Sequence, residues 1–172
     1  MNRPQLEHVL RAAGAIAETS DLIVIGSQAV LGWSEAPPNS LLQSIEVDLY
    51  PRDTPALADL IDGSIGELSP FHETFGYYAH GVHPATAILP NGWKQRLIPL
   101  NNENTQGVTG WCLHPLDIAI SKLVAGRPKD LEYVSALISF AELDESALDE
   151  LARTLDEPES SQVLGRLNRL RG

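Results

Sequence analysis

The run Leu22-Ile23-Val24-Ile25-Gly26-Ser27-Gln28-Ala29-Val30-Leu31 limits the possible folds more than any other stretch. Leu22 to Ile25 is short, apolar and rich in β-branched residues, the pattern of a strand buried on both faces. It stops at Gly26-Ser27, and an Ala/Val/Leu helix pattern starts at once. Glycine at a strand-to-helix turn lets backbone approach a ligand closely. The helix start that follows leaves unpaired N–H groups and a partial positive charge, which favour phosphate. Further on, Ser44-Ile45-Glu46-Val47-Asp48-Leu49 alternates acids with aliphatics. The period of two puts Glu46 and Asp48 on one strand face, about 7 Å apart. Buried acids are costly unless they meet a cation or a base, and magnesium takes a few carboxylate oxygens plus phosphate oxygens. An antiparallel strand with one wet face would carry the same acids. In tandem, the two stretches read as a plan for holding a nucleoside triphosphate and its magnesium.

A chain of 172 residues, 43% of them hydrophobic, has enough apolar side chains for one compact domain, with or without a small helical appendage. Met1 to Leu10 mixes charge and polarity with no apolar core, which argues against a secretory signal. No apolar run is long enough to span a bilayer, and the single Cys112 cannot form an intrachain disulfide. A soluble cytoplasmic protein, not a membrane protein, is expected. The net charge of −11 argues against broad nucleic-acid binding. Its distribution tempers that: Lys94, Arg96, Lys122, Arg127 and Lys129 face only Glu103 and Asp117 between positions 94 and 129, a locally positive stretch.

The elements predicted in order are a helix over Pro4–Glu18, the strand at Leu22–Ile25, a helix over Ser27–Trp33, a loop through Glu35–Ser40, and the Ile45–Leu49 strand. A helix over Pro55–Glu67 and a strand over Tyr77–Val82 follow. Ala85–Leu89 and Gln95–Leu100 then read as a hairpin around Pro90-Asn91-Gly92. Val108–Leu113 is the last strand. From His114 the pattern is helical: Pro115–Val124, Asp130–Phe140, Glu145–Leu155 and Ser160–Leu170. The organisation expected is an α/β core over 1–113, a mixed central sheet flanked by helices, and a C-terminal helical part over 114–172.

Beyond the acids, Lys122 falls at the rim of an apolar helix face, where a snorkelling surface lysine would also sit. Arg127 and Lys129 flank a helix break and can face a phosphate, and Asp130 in the next first turn can equally be a cap. His80 and His83, with Cys112 and His114 as distant partners, fall short of the four well-spaced ligands of a structural zinc site. No Gly-x-Ser-x-Gly elbow recommends a serine triad.

Ile25-Gly26-Ser27-Gln28-Ala29, then Ser44-Ile45-Glu46-Val47-Asp48, then Asp117…Lys122-Leu123…Arg127-Pro128-Lys129-Asp130 resembles the minimal nucleotidyltransferases of the DNA polymerase β-like superfamily. The nearest resemblance is to the AbiEii/MenT-type toxins of bacterial toxin–antitoxin systems, over residues 5–140. The resemblance implies that Gly26 and Ser27 bind phosphate and that Glu46 and Asp48 are magnesium ligands. It also implies that Lys122 contacts the nucleotide with Arg127 and Lys129 beside it, and that Asp130 lies close to the site. It implies transfer of a nucleotide from a triphosphate to RNA, notably transfer RNA, or to a protein hydroxyl, and an antitoxin as partner. Glu46 stands where the family usually has aspartate, and Gln95–Leu100 supplies no third acid, Arg96 standing there instead. Those departures open an alternative, a catalytically degenerate nucleotide- or partner-binding module of the same fold.

Overall fold

The computed structural model describes residues 1–172. Helix α1 (Arg3–Ile16) is opened by a capping box in which Asn2 and Gln5 each accept the other's backbone N–H. Leu6, Val9, Leu10 and Ala13 recur at helical spacing and are fully buried. The helix ends short of the predicted Glu18, whose φ of 49° is left-handed.

Strand β1 (Asp21–Ile25) occupies the middle of a five-stranded mixed sheet. With β2 (Glu46–Pro51), β3 (Tyr78–Gly81), β4 (Ile98–Leu100) and β5 (Thr109–Cys112), the order is β3-β2-β1-β5-β4. β1 runs antiparallel to β2 and parallel to β5, β2 is parallel to β3, and β4 is antiparallel to β5. The predicted α/β class and mixed central sheet are what the chain adopts. After β1 the chain makes a 3-10 turn at Ser27–Ala29 before the single α-helical turn α2 (Val30–Trp33), where one continuous helix was expected.

The hairpin predicted around Asn91-Gly92 does not form. Pro84–Thr86 is a 3-10 turn, and Gly92, left-handed at φ 76°, leads into a second one at Trp93–Gln95. Ile98–Leu100 pairs instead with β5, as an edge strand that tolerates Pro99. Between α3 (Ala58–Ile65) and β3 lies a further helix, α4 (Pro70–Phe75), in a stretch for which no element is predicted. Ser69 caps it by accepting the His72 N–H, and left-handed Gly76 ends it.

Four helices follow β5: α5 (Pro115–Ala125), α6 (Pro128–Ala141), α7 (Glu145–Ala152) and α8 (Glu159–Arg171). α5 packs against the other three and against α2. One contiguous cluster of buried apolar side chains runs from Leu6 on α1 through the sheet to Leu167 on α8. No helix is long and apolar enough to cross a membrane.

Candidate active site

A cavity of about 290 Å³ opens where the end of β1, strand β2 and the α5–α6 corner meet. Ile25 and Gly26 line it from the end of β1, Asp48 from β2, and Lys122, Arg127 and Asp130 from the corner. Thr86, Ala87 and Ile88 line it as well.

Gly26 is where backbone geometry fixes the site. Its φ of 72° is left-handed, and a Cβ there would sit 2.4 Å from Asp48 Oδ2. Antiparallel pairing sets Ile25 beside Asp48, which is why that carboxylate lies over the turn.

Parallel β2–β3 pairing places Tyr78 beside Glu46 and His80 beside Asp48. The Tyr78 hydroxyl donates to Glu46 Oε2 at 2.9 Å, and His80 Nδ1 meets Asp48 Oδ1 at 2.8 Å. Each acid keeps a second oxygen. Burial raises the Asp48 pKa, and Glu46 adds to the rise against the pull of His80 and Lys122. Burial, with the bond to Glu46, pushes the Tyr78 phenol up to about 12, so it stays a donor. Two carboxylates on one strand face, each with an oxygen to spare, have the donor chemistry of a magnesium site. That ion takes one or two protein carboxylates and completes its shell with water and phosphate oxygens. No three His, Cys, Asp or Glu side chains converge into a ready-made metal cage.

Two bases of the same cavity share one carboxylate. Asp130 is 1% exposed. It accepts Lys122 Nζ at 3.3 Å, and Arg127 Nε and Nη2 at 2.6 and 3.1 Å. Its second role is as a cap, taking the Arg127 backbone N–H at 3.2 Å. Burial pushes the Asp130 pKa up, but Arg127 and Lys122 outweigh it and hold the carboxyl below its ordinary value. The same pairing raises Arg127.

The corner thus gathers Gly26, Asp48, Lys122, Arg127 and Asp130 around one cavity. Glu46 sits next along β2 and is tied to Tyr78. Ser27 lies just behind the turn, its carbonyl taking the Tyr133 hydroxyl at 2.7 Å. Lys129 is exposed on the first turn of α6 and does not line the cavity. Arg96 does not reach the acids; it grips fully buried Asp117 through Nε and Nη2, at distances down to 2.6 Å. His83 and His114 each accept a backbone N–H at a helix start. Burial pushes the Cys112 thiol up to about 12. Tyr78, His80 and Tyr133 escape a reading by spacing, because strand register and the α6 packing bring them in.

A glycine turn at the end of a central strand, with acids on the neighbouring strand and bases on the helices beyond, defines a protein of the nucleotidyltransferase class. The chain belongs to the family described as "Nucleotidyltransferase of unknown function (DUF6036)", whose model matches residues 4–165. No curated protein and no solved structure matches the chain significantly.

Proposed function

We propose that the protein is a magnesium-dependent nucleotidyltransferase that moves a nucleotide from a nucleoside triphosphate to RNA, transfer RNA above all, or to a protein hydroxyl. It would act in the cytoplasm as the toxin of a toxin–antitoxin module, with an antitoxin as its protein partner. The observation that carries the reading is Asp48: a carboxylate with a raised pKa, lying over a left-handed glycine and facing Lys122 and Arg127 across one cavity. Glu46 and Asp48 would hold the magnesium, which when bound neutralises triphosphate charge. The Gly26 turn lets the phosphates approach the backbone. Lys122 and Arg127, both held by Asp130, bind and orient them, which is where most of the catalysis in such a transfer resides. The positive stretch from Lys94 to Lys129 would meet an RNA backbone.

The test is incubation with each α-labelled nucleoside triphosphate, magnesium and total bacterial RNA, beside Asp48→Ala. Label is expected in RNA with the parent and to fall at least about a hundredfold in the variant, the scale on which losing a charge-stabilising group acts. Label in protein would shift the acceptor to a protein hydroxyl. Equal labelling by Asp48→Ala would sink the mechanism.

One observation favours a second reading. The cavity's only other carboxylate, Asp130, is engaged by Lys122 and Arg127, so no third acid faces the reacting groups. A module that binds nucleotide without transferring it would show triphosphate binding by calorimetry and no label in any acceptor.

A further inference from the structure

Tyr133 lies one turn beyond Asp130 on α6, is 8% exposed and does not line the cavity. It nonetheless touches two of the groups that shape it. Its hydroxyl donates to Ser27 O at 2.7 Å, and Lys122 Nζ stands 5.1 Å from its ring centroid. The Ser27 carbonyl also accepts the Val30 N–H, so both of its lone pairs are taken. Because the peptide is planar and trans, fixing that carbonyl also fixes the Gln28 N–H in the opposite direction. The ring offers the Lys122 ammonium its negative face while Asp130 takes the same ammonium from the side. A phenylalanine would fill the same space. A buried hydroxyl is costly to desolvate unless it finds a partner, and its partner here is the turn after β1.

We propose that Tyr133 is a positioning residue that ties α6 to the Gly26-Ser27 turn through its hydroxyl and seats Lys122 through its ring. The proposal deepens the nucleotide-binding reading of this cavity and rests on it for the consequence to ligand affinity. It assigns the two halves of one side chain to two different groups, so each half has its own variant. Tyr133→Phe removes the bond to Ser27 and keeps the ring; Tyr133→Leu removes both and keeps apolar bulk.

The experiment has two arms. In ligand-free protein, amide hydrogen exchange over residues 26–31 is compared between the parent and Tyr133→Phe, with the melting temperature as a check on folding. Exchange in the turn is expected to speed up about tenfold while exchange in α6 holds, the scale of one lost hydrogen bond. Unchanged exchange in the turn overturns the hydroxyl's role. In the second arm, calorimetry with magnesium and ATP, GTP, CTP or UTP follows Tyr133→Leu, Lys122→Ala and the double variant. For whichever triphosphate binds the parent, Tyr133→Leu is expected to weaken binding about tenfold in the Lys122 background and markedly less once Lys122 is alanine. A mere packing role gives the same loss in both backgrounds and overturns the ring's role. A parent that binds none of the four, with exchange accelerated as expected, removes the nucleotide reading and the ring's role but leaves the bond to the turn standing.

Discussion

Asp48 works against the stability of the chain that carries it. Its side chain keeps 25% of its surface accessible, yet burial with Glu46 nearby raises its pKa above that of an unfolded aspartate. A raised folded pKa means the residue's stabilising contribution is fully present below the ordinary aspartate range, around pH 4, and is lost as pH climbs through the folded value. Asp48→Asn removes the charge and keeps an acceptor for His80 Nδ1. It is therefore expected to have a higher urea midpoint than the parent at pH 7, with the gain shrinking to nothing below about pH 4. A lower midpoint at pH 7 would mean that Lys122 and His80 more than offset burial. Stability gained by neutralising a site residue is the signature of a group retained for function. At this scale the sequence was informative where chemistry is local. Gly26 follows a strand, and Glu46 and Asp48 share a face by parity alone. His80 and Tyr78 were not legible as partners of the acids, because their place depends on the β2–β3 register, which no local pattern specifies.

Helix α6 shows one carboxylate serving an element and a site at once. Asp130 caps the helix through the Arg127 N–H and binds the Arg127 and Lys122 side chains, while its folded pKa is depressed. Its contribution is therefore present above the ordinary aspartate range and is lost as pH falls through the depressed folded value. Asp130→Asn should destabilise the protein by about 2–3 kcal/mol at neutral pH, less than for a wholly buried pair because the Arg127 side chain is 59% exposed. Denaturant unfolding at pH 7 and again in acid checks this, with the gap between variant and parent narrowing on acidification. Helices of this kind were readable in advance: Pro115 marks a first turn and the apolar spacing does the rest, although α6 starts at Pro128, two residues before the predicted Asp130. The elements misread were those governed by partners. Ala85–Leu89 has an apolar run, but Pro84 and Pro90 bracket it and its neighbour Ile98–Leu100 finds an open edge at β5. Asn91-Gly92 does turn the chain, yet it turns into a 3-10 segment anchored by Arg96, whose guanidinium reaches back to the Asn91 carbonyl at 3.1 Å.

Across the molecule, the candidate site exists only because the last four helices lie against the sheet. Lys122, Arg127 and Asp130 come from α5 and α6, Gly26 and Asp48 from the strands, and none of the five could line the cavity if the two parts came apart. Helix α8 packs against α5 and backs this contact. Val163 and Leu167, both at most 1% exposed, enter the same core as α1 and β1. Arg166 Nη1 meanwhile donates to the Val124 carbonyl at the end of α5, at 2.9 Å. The site should therefore respond to α8 although no α8 residue lines the cavity. Leu167→Ala, which empties a fully packed position, is expected to cost about 2–5 kcal/mol. It should lower a single unfolding transition seen alike by far-ultraviolet circular dichroism and by tryptophan fluorescence in a background where Trp33 and Trp93 are phenylalanine, which leaves Trp111 on β5 as the reporter. If residues 114–172 instead folded as an independent lobe, the substitution would split unfolding into two transitions and leave the one reported by Trp111 in place. Coincident shifts in both signals would tie the stability of the cavity to a helix that never touches a ligand. The active geometry would then be a property of the whole packed chain and not of the sheet alone.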